Sequence, residues 1–276
     1  MRFSYLFLVV LIAGGMLVSC DASNKVLNSK DPEYKLKKAD EYYGKKKYNI
    51  AAQLYEQLFA SYKGSQKFED LYYKYAYCYY YMGSYQDAEN LFKGFLEVFP
   101  TSSRAEEVDY MRAYSYYKQS PRLELDQTST QRAMAMMQTF INTHPGSERN
   151  KEAAKIIDES RKKLEDKEKR GAQLRYDLGQ FRAAALSYET LMNNFPETNS
   201  GDAYKLMVVK SYYKFASLSI ESRKLERFEK VITEVDDFTD RFPDSKLLKE
   251  VENYKNLSLN QIKALKNEQT KTSAKL

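Results

Sequence analysis

The chain is poor in the residues that break or brace a fold: its 276 residues hold 10 glycines, 6 prolines, 2 cysteines and one histidine. Scarce glycine and proline argue against a strand-and-turn fold, and plentiful Lys, Glu, Ala, Leu, Tyr and Gln favour helices. An all-α architecture is expected. Two cysteines build no disulfide framework within one chain. There is no glycine-rich phosphate loop, no serine nucleophile motif and no His/Cys metal cluster. The acidic pairs Glu106-Glu107 and Asp236-Asp237 are i, i+1 neighbours that diverge on a helix and read as solvated surface. A non-enzyme with no cofactor and no metal is the expectation.

Charge of one sign is also modest. Lys and Arg number 44 against 38 Asp and Glu, a formal +6 spread along the chain, which gives no basic track for nucleic acid. With 43% apolar and 30% charged residues, the chain suits a globular or repeat protein of one large or two ordinary domains.

What is present begins with MRFSYLFLVVLIAGGMLVSC. One basic residue and an apolar run from Leu6 to Val18, too short to span a bilayer comfortably, read as an export signal over 1–19. Leu17-Val18-Ser19-Cys20 resembles the bacterial lipobox, which implies that Cys20 is acylated (the palmitate-type lipidation of an exported protein) and that 20–32 is lipidated cysteine plus tether. The signal gives the only membrane affinity visible here. Cys78 is left as a small buried hydrophobe, and 266–276 as a frayed tail.

Between these ends the sequence repeats. Phe95, Phe140, Leu191 and Phe238 each stand five residues before a proline: Pro100, Pro145, Pro196 and Pro243. Eight residues before those prolines lie Phe92, Met137, Tyr188 and Val235, and twelve before lie Ala88, Ala133, Ala184 and Val231. Ala51, Tyr55 and Leu58 form a copy upstream. Each is an amphipathic helix ending at a proline or glycine. A second helix precedes it, marked by Ala39, Ala76 and Ala113 at intervals of 37, with turns such as Met82-Gly83-Ser84-Tyr85 and Leu178-Gly179-Gln180-Phe181. The third copy carries about eight extra residues around Pro121 to Asp126, the fifth about ten around Ser219 to Lys224. Insertions in a repeat array are expected in loops.

This pattern resembles the tetratricopeptide repeat family over residues 33–245. The resemblance implies an all-α, right-handed superhelical solenoid of about five helical hairpins, taken here as 33–265, in which small residues bring helices close and large ones fill the space to the next hairpin.

The stretch Leu71 to Glu89 holds eight tyrosines. Placed on that pattern, Tyr72, Tyr75, Ala76 and Tyr79 face the hairpin interior, while Tyr73, Tyr77, Tyr80 and Tyr81 face the groove. Tyr110, Tyr114 and Tyr117 recur 37 residues after Tyr73, Tyr77 and Tyr80, and Tyr43 adds a ring in the first copy. Two readings stand: inter-repeat packing, or a partly exposed groove for an extended, aromatic-rich peptide, with Tyr43, Tyr73, Tyr77, Tyr80, Tyr110, Tyr114 and Tyr117 as peptide-binding residues. His144 occupies the place held elsewhere by Phe99, Phe195 and Phe242 and reads as structural.

The lipobox, the five copies and the long third insertion together resemble the BamD-type lipoproteins of the outer-membrane β-barrel assembly machinery. That resemblance implies a lipid anchor on the periplasmic face of the outer membrane. It also implies C-terminal repeats that hold a BamA-like barrel-inserting protein and N-terminal repeats that engage unfolded outer-membrane protein substrates. A tetratricopeptide adaptor for cell-wall enzymes or division factors is the rival, and Asp21 after the cysteine would favour inner-membrane retention under the sorting rule of some bacteria.

Overall fold

The computed structural model describes residues 24–273, with side chains through 268. The signal segment 1–19, Cys20 and the first part of the tether lie outside the described residues, as does the end of the tail. Among the described residues, regular structure is entirely helical. After a helical turn at 24–27, the helices are α1 Pro32–Gly44, α2 Tyr48–Tyr62, α3 Lys67–Tyr81, α4 Tyr85–Val98, α5 Ala105–Lys118, α6 Thr128–Thr143, α7 Asn150–Asp177, α8 Phe181–Asn194, α9 Gly201–Ser217, α10 Glu221–Arg241 and α11 Leu248–Ser273. The chain divides into two compact units, 1–160 and 161–276, and α7 starts in the first and ends in the second. No helix among the described residues is long and apolar enough to cross a membrane.

The repeat register has a direct physical expression. Ala51, Ala88, Ala133, Ala184 and Val231 are wholly buried, as are Phe92, Met137 and Val235 and the ring pairs one turn on, Phe95, Phe140 and Phe238. Ala39, Ala76 and Ala113 are buried too, and their missing bulk lets successive helices pack. In the first unit one core joins Leu54, Tyr55, Leu58, Leu71 and Tyr75 from α2 and α3. A second joins Ala76, Tyr77, Phe92, Phe95 and Val108, and a third Tyr110, Met137, Phe140 and Ile156. In the second unit, one core gathers Ala172, Tyr188, Leu191, Tyr204 and Val208 and the other Val209, Phe228, Val235, Phe238 and Val251.

Helix ends follow sequence chemistry. Asp31 caps α1, its Oδ1 accepting from the backbone N–H groups of Glu33 at 3.0 Å and Tyr34 at 3.2 Å, with Pro32 opening the helix. The helices before Pro100, Pro145, Pro196 and Pro243 end alike: Phe99, His144, Phe195 and Phe242 share φ of −127°, −125°, −129° and −132°. His144 thus fills an aromatic end position, its ring 4.9 Å from Phe140 and its Nε2 3.2 Å from Asp109.

The two insertions differ. The third copy's extra residues form the loop between α5 and α6, organised by buried Gln127, whose Nε2 donates to the carbonyls of Arg122 at 2.9 Å and Leu125 at 3.0 Å. The fifth copy's do not form the expected loop. Glu221 to Arg227 has no glycine or proline and several strong helix formers, so the segment is absorbed into the 21-residue α10. Likewise α11 continues past residue 265, where the sequence reading ended the array, to Ser273.

Candidate functional site: a tyrosine ladder across three hairpins

α3 carries most of the site. Its fifteen residues include seven tyrosines, and the helical repeat distributes them over both flanks of the buried Ala76. Tyr75 is buried and packs at 4.9 Å against Phe59, whereas Tyr72 and Tyr79, expected in the hairpin interior with it, are only half-buried beside the same core. On the other flank, the rings connect without a break. Tyr48 of α2 stacks on Tyr81 at 4.7 Å, Tyr81 touches Tyr77 at 5.7 Å and Tyr80 at 5.5 Å, and Tyr80 reaches Tyr114 of α5 at 6.3 Å. Tyr114 continues to Tyr110 at 5.7 Å and Tyr117 at 5.7 Å, and Tyr43 joins the start through Tyr48 at 5.7 Å. All seven residues expected in the groove lie on α1, α3 or α5, and the ring path brings together Tyr43, Tyr77, Tyr80, Tyr110, Tyr114 and Tyr117; Tyr73 adds a branch at 4.6 Å from Tyr77. The link between the second and third copies runs from Tyr80 to Tyr114.

The expectation of partial exposure fails at two of the seven. Tyr77 is 6% exposed and Tyr110 9%, because Tyr77 packs edge-on to Phe92 and Tyr110 to Phe140. Tyr43, Tyr73, Tyr80, Tyr114 and Tyr117 are half-buried, and Tyr81 is 48% exposed. The ladder therefore has a buried foot and an accessible edge.

A carboxylate that sequence reading set aside as solvated surface anchors the foot. Glu107 Oε1 accepts from Tyr73 Oη at 2.8 Å and from Tyr77 Oη at 2.5 Å. Burial pushes the Glu107 carboxyl up, but the two phenol hydrogen bonds together with the nearby Arg149 and Arg104 charges hold it below the ordinary carboxylate value, so it stays ionised. The phenols move the other way. Burial, then the bond to Glu107, drives Tyr77 upward, and burial raises Tyr73, Tyr80 and Tyr110 each to about 12. The phenols are thus neutral donors to a fixed anion. The Arg104 guanidinium lies 4.4 Å from the centre of the Tyr73 ring and bonds Asp70 at 2.9 Å, and Lys74 bridges Asp40 and Asp70. Next to these, Glu33, Leu36, Lys37, Asp40, Glu41, Lys67 and Asp70 line an open hollow of about 660 Å³ between α1 and α3.

A second device recurs in both units and was missed. Two residues after each proline stands Ser102, Ser147, Thr198 or Ser245. Each hydroxyl donates to a carboxylate on the first helix of the preceding hairpin: Ser102 to Glu69 at 2.6 Å, Ser147 to Glu106 at 2.6 Å, Thr198 to Glu165 at 2.5 Å and Ser245 to Asp202 at 2.6 Å. The same oxygens accept the backbone N–H two residues on, which turns the chain into the next helix. The Pro-x-Ser/Thr signal was present in the sequence; the acidic partner, 33 to 43 residues earlier, was not marked by fixed spacing.

An all-α array of hairpins with an aromatic, hydrogen-bonding face is the architecture of a protein-interaction scaffold. The profile of the YfiO outer membrane lipoprotein family matches residues 29–221, and the chain belongs to that family. No curated protein matches it. Among solved structures it is similar to the TPR2AB domain–pHSP90 complex of yeast Sti1, with 11% identity and a TM-score of 0.38 over 82% of this chain and 98% of that one.

Proposed function

We propose that this outer membrane lipoprotein is a lipid-anchored scaffold of the β-barrel assembly machinery, tethered through Cys20 on the periplasmic face. Its C-terminal repeats hold a BamA-like barrel-inserting protein and its N-terminal repeats engage unfolded outer-membrane protein substrates. The observation that carries this reading is the family match over 29–221, which covers the first four hairpins and the first helix of the fifth. The tyrosine ladder supports the substrate half. Its edge, Tyr43, Tyr80, Tyr81, Tyr114 and Tyr117, offers broad apolar faces with hydroxyls that tolerate water, suited to an extended aromatic-rich strand, while Tyr73, Tyr77 and Tyr110 hold that edge from beneath.

Affinity purification from membranes tests the partner. Co-purification of a large barrel protein with repeated periplasmic domains, lost when Asp202 to Leu276 is deleted, is the expected result; recovery of cell-wall hydrolases instead would establish the adaptor reading. For the ladder, a peptide from the C-terminal strand of an outer-membrane barrel should lose affinity for the Tyr80→Ala/Tyr114→Ala double variant.

A further inference from the structure

We propose that the turn end of the second unit docks on an anionic phospholipid surface. The hairpin turns after α7 and α9 end in large aliphatic side chains that the fold leaves in water. Leu178 is 63% exposed, Leu218 75% and Ile220 71%. None is needed to close its turn: the backbone does that through Leu178 N–H to the Leu174 carbonyl, Leu218 N–H to that of Lys214 and Gly179 at φ +74°. Soluble turns are ordinarily polar, so exposed aliphatics at two successive turns mark a surface meant to be covered.

Between these turns lies a cavity of about 430 Å³, lined by Arg182, Tyr212, Phe215, Glu226, Arg227 and Lys230. Lys230 pairs with Glu234 and Glu226 with Arg223, while Arg182 and Arg227 bring two further cations that no carboxylate pairs among the described residues. Arg182 is the second residue of α8, four after Leu178, and Phe215 stands three before Leu218, so the cavity sits directly behind the apolar tips. Arg227 is fixed there, its guanidinium 4.0 Å from the Phe215 ring centre and its Nη1 2.5 Å from Ser219 Oγ in the turn. The Lys230 ammonium lies 5.4 Å from the Tyr212 ring. A positive hollow behind protruding aliphatics matches the layering of a membrane surface, in which anionic headgroups lie outside the acyl boundary. A lipoprotein body held close to its membrane has such a surface within reach.

The chain has no tryptophan, so a single introduced one reports its own position. The full lipidated protein, carrying Leu218→Trp or Ile220→Trp, is reconstituted in vesicles of phosphatidylethanolamine with phosphatidylglycerol. Emission should be blue-shifted and quenched by lipids brominated on the acyl chains. Asp244→Trp, just beyond the far end of α10 and roughly 30 Å away, should stay water-like although it shares the same anchor. Adding Arg182→Glu, or omitting phosphatidylglycerol, should weaken docking by about tenfold or more, since each basic group near an anionic surface contributes on the order of 1 kcal/mol. Circular dichroism confirms that each variant remains helical. Unquenched, water-like emission at both 218 and 220 overturns the proposal, as does equal quenching at 244, which would report tethering alone. A shift that appears only when a membrane-protein extract is added overturns it in favour of a protein interface.

Discussion

In the first unit Tyr55, Tyr62, Tyr73 and Tyr77 each send a hydroxyl to a carboxylate on a neighbouring helix, to Asp40, Glu33 and, twice, Glu107. In the second unit Tyr204 makes one such bond, to Glu165, and a different polar tie is added by Lys205, buried in α9 and paired with Glu234 and Asp237 of α10. The contrast follows composition, since eighteen of the 25 tyrosines fall between Tyr34 and Tyr117. A phenol enters a core as a neutral group, loses one water contact and recovers it from an acid at the rim. An ammonium must be stripped of water entirely and so requires its acids in place. The first unit is thus tied mainly by small, redundant phenol contacts, whereas the second includes a buried ion pair that does not tolerate partial loss.

The most severe break should be Lys205→Met. It leaves Glu234 buried beside Asp237, with Lys230 the remaining partner for Glu234, and loss of one member of a buried ion pair costs about 3–5 kcal/mol. Urea unfolding should show that loss, and hydrogen exchange should place it in α9 and α10. A loss under about 1 kcal/mol would mean that water reaches the site and that the two units are held alike.

Nearly as large is Tyr77→Ala. The ring is core, so about 3–5 kcal/mol is expected, whereas Tyr81→Ala, on the exposed edge, should cost about 1 kcal/mol or less. Tyr77→Phe removes only the hydroxyl and leaves Glu107 its bond from Tyr73; roughly 1 kcal/mol is expected. If Tyr77→Phe equals Tyr77→Ala, the carboxylate and not the ring carries the site.

Raised pH should separate the units more gently. The folded state raises Tyr73, Tyr80, Tyr110 and Tyr117 to about 12 and pushes Tyr43 and Tyr55 up further, chiefly through burial and, for Tyr117, first through its bond to Glu159. A raised value means that the folded state keeps the proton longer. The stabilisation is therefore whole below the unfolded value near 10 and is lost as pH climbs through the folded one. Fewer tyrosines are raised in the second unit, Tyr188 and Tyr204 to about 12 among them. Phenolate absorbance followed beside limited proteolysis should show cleavage within 24–160 first; simultaneous cleavage in both units would remove the distinction.

Much of this was legible in the sequence because hairpin packing repeats. A helix that must bury one stripe shows it as Ala, large apolar, aromatic at fixed steps before proline, and each of those positions is buried. The tyrosine face was read less well. Period alone places Tyr77 and Tyr81 on one flank, but α4 and α5 rise beside that flank and cover Tyr77 while Tyr81, one turn later, clears them. Glu107 was taken for surface because no local spacing shows that two phenols from the previous hairpin converge on it. The insertion around Ser219 to Lys224 was expected in a loop because a count of extra residues does not say whether they lengthen a turn or a helix, although the helix formers from Glu221 onward did.

The smallest effect concerns a turn geometry that both units share. Gly83 at φ +78° and Gly179 at +74° close α3 and α7 in the left-handed region, and Lys46 at +59° does the same after α1. The bonds match: Lys47 N–H to the Tyr42 carbonyl, Ser84 to Tyr79 and Gln180 to Arg175. A residue with a Cβ gives up about 1–2 kcal/mol in that conformation, and glycine returns part of the gain as chain entropy when unfolded. Lys46→Gly should therefore stabilise the first unit by roughly 0.5–1 kcal/mol. Gly83→Ala and Gly179→Ala should each destabilise by about 1–2 kcal/mol, and equally, since a Cβ at either site meets nothing within 4 Å. Thermal unfolding of the three variants measures this. Unequal costs at Gly83 and Gly179 would show that the difference between the units reaches even their turns, while a destabilising Lys46→Gly would show that the lysine side chain holds a contact that outweighs its strain.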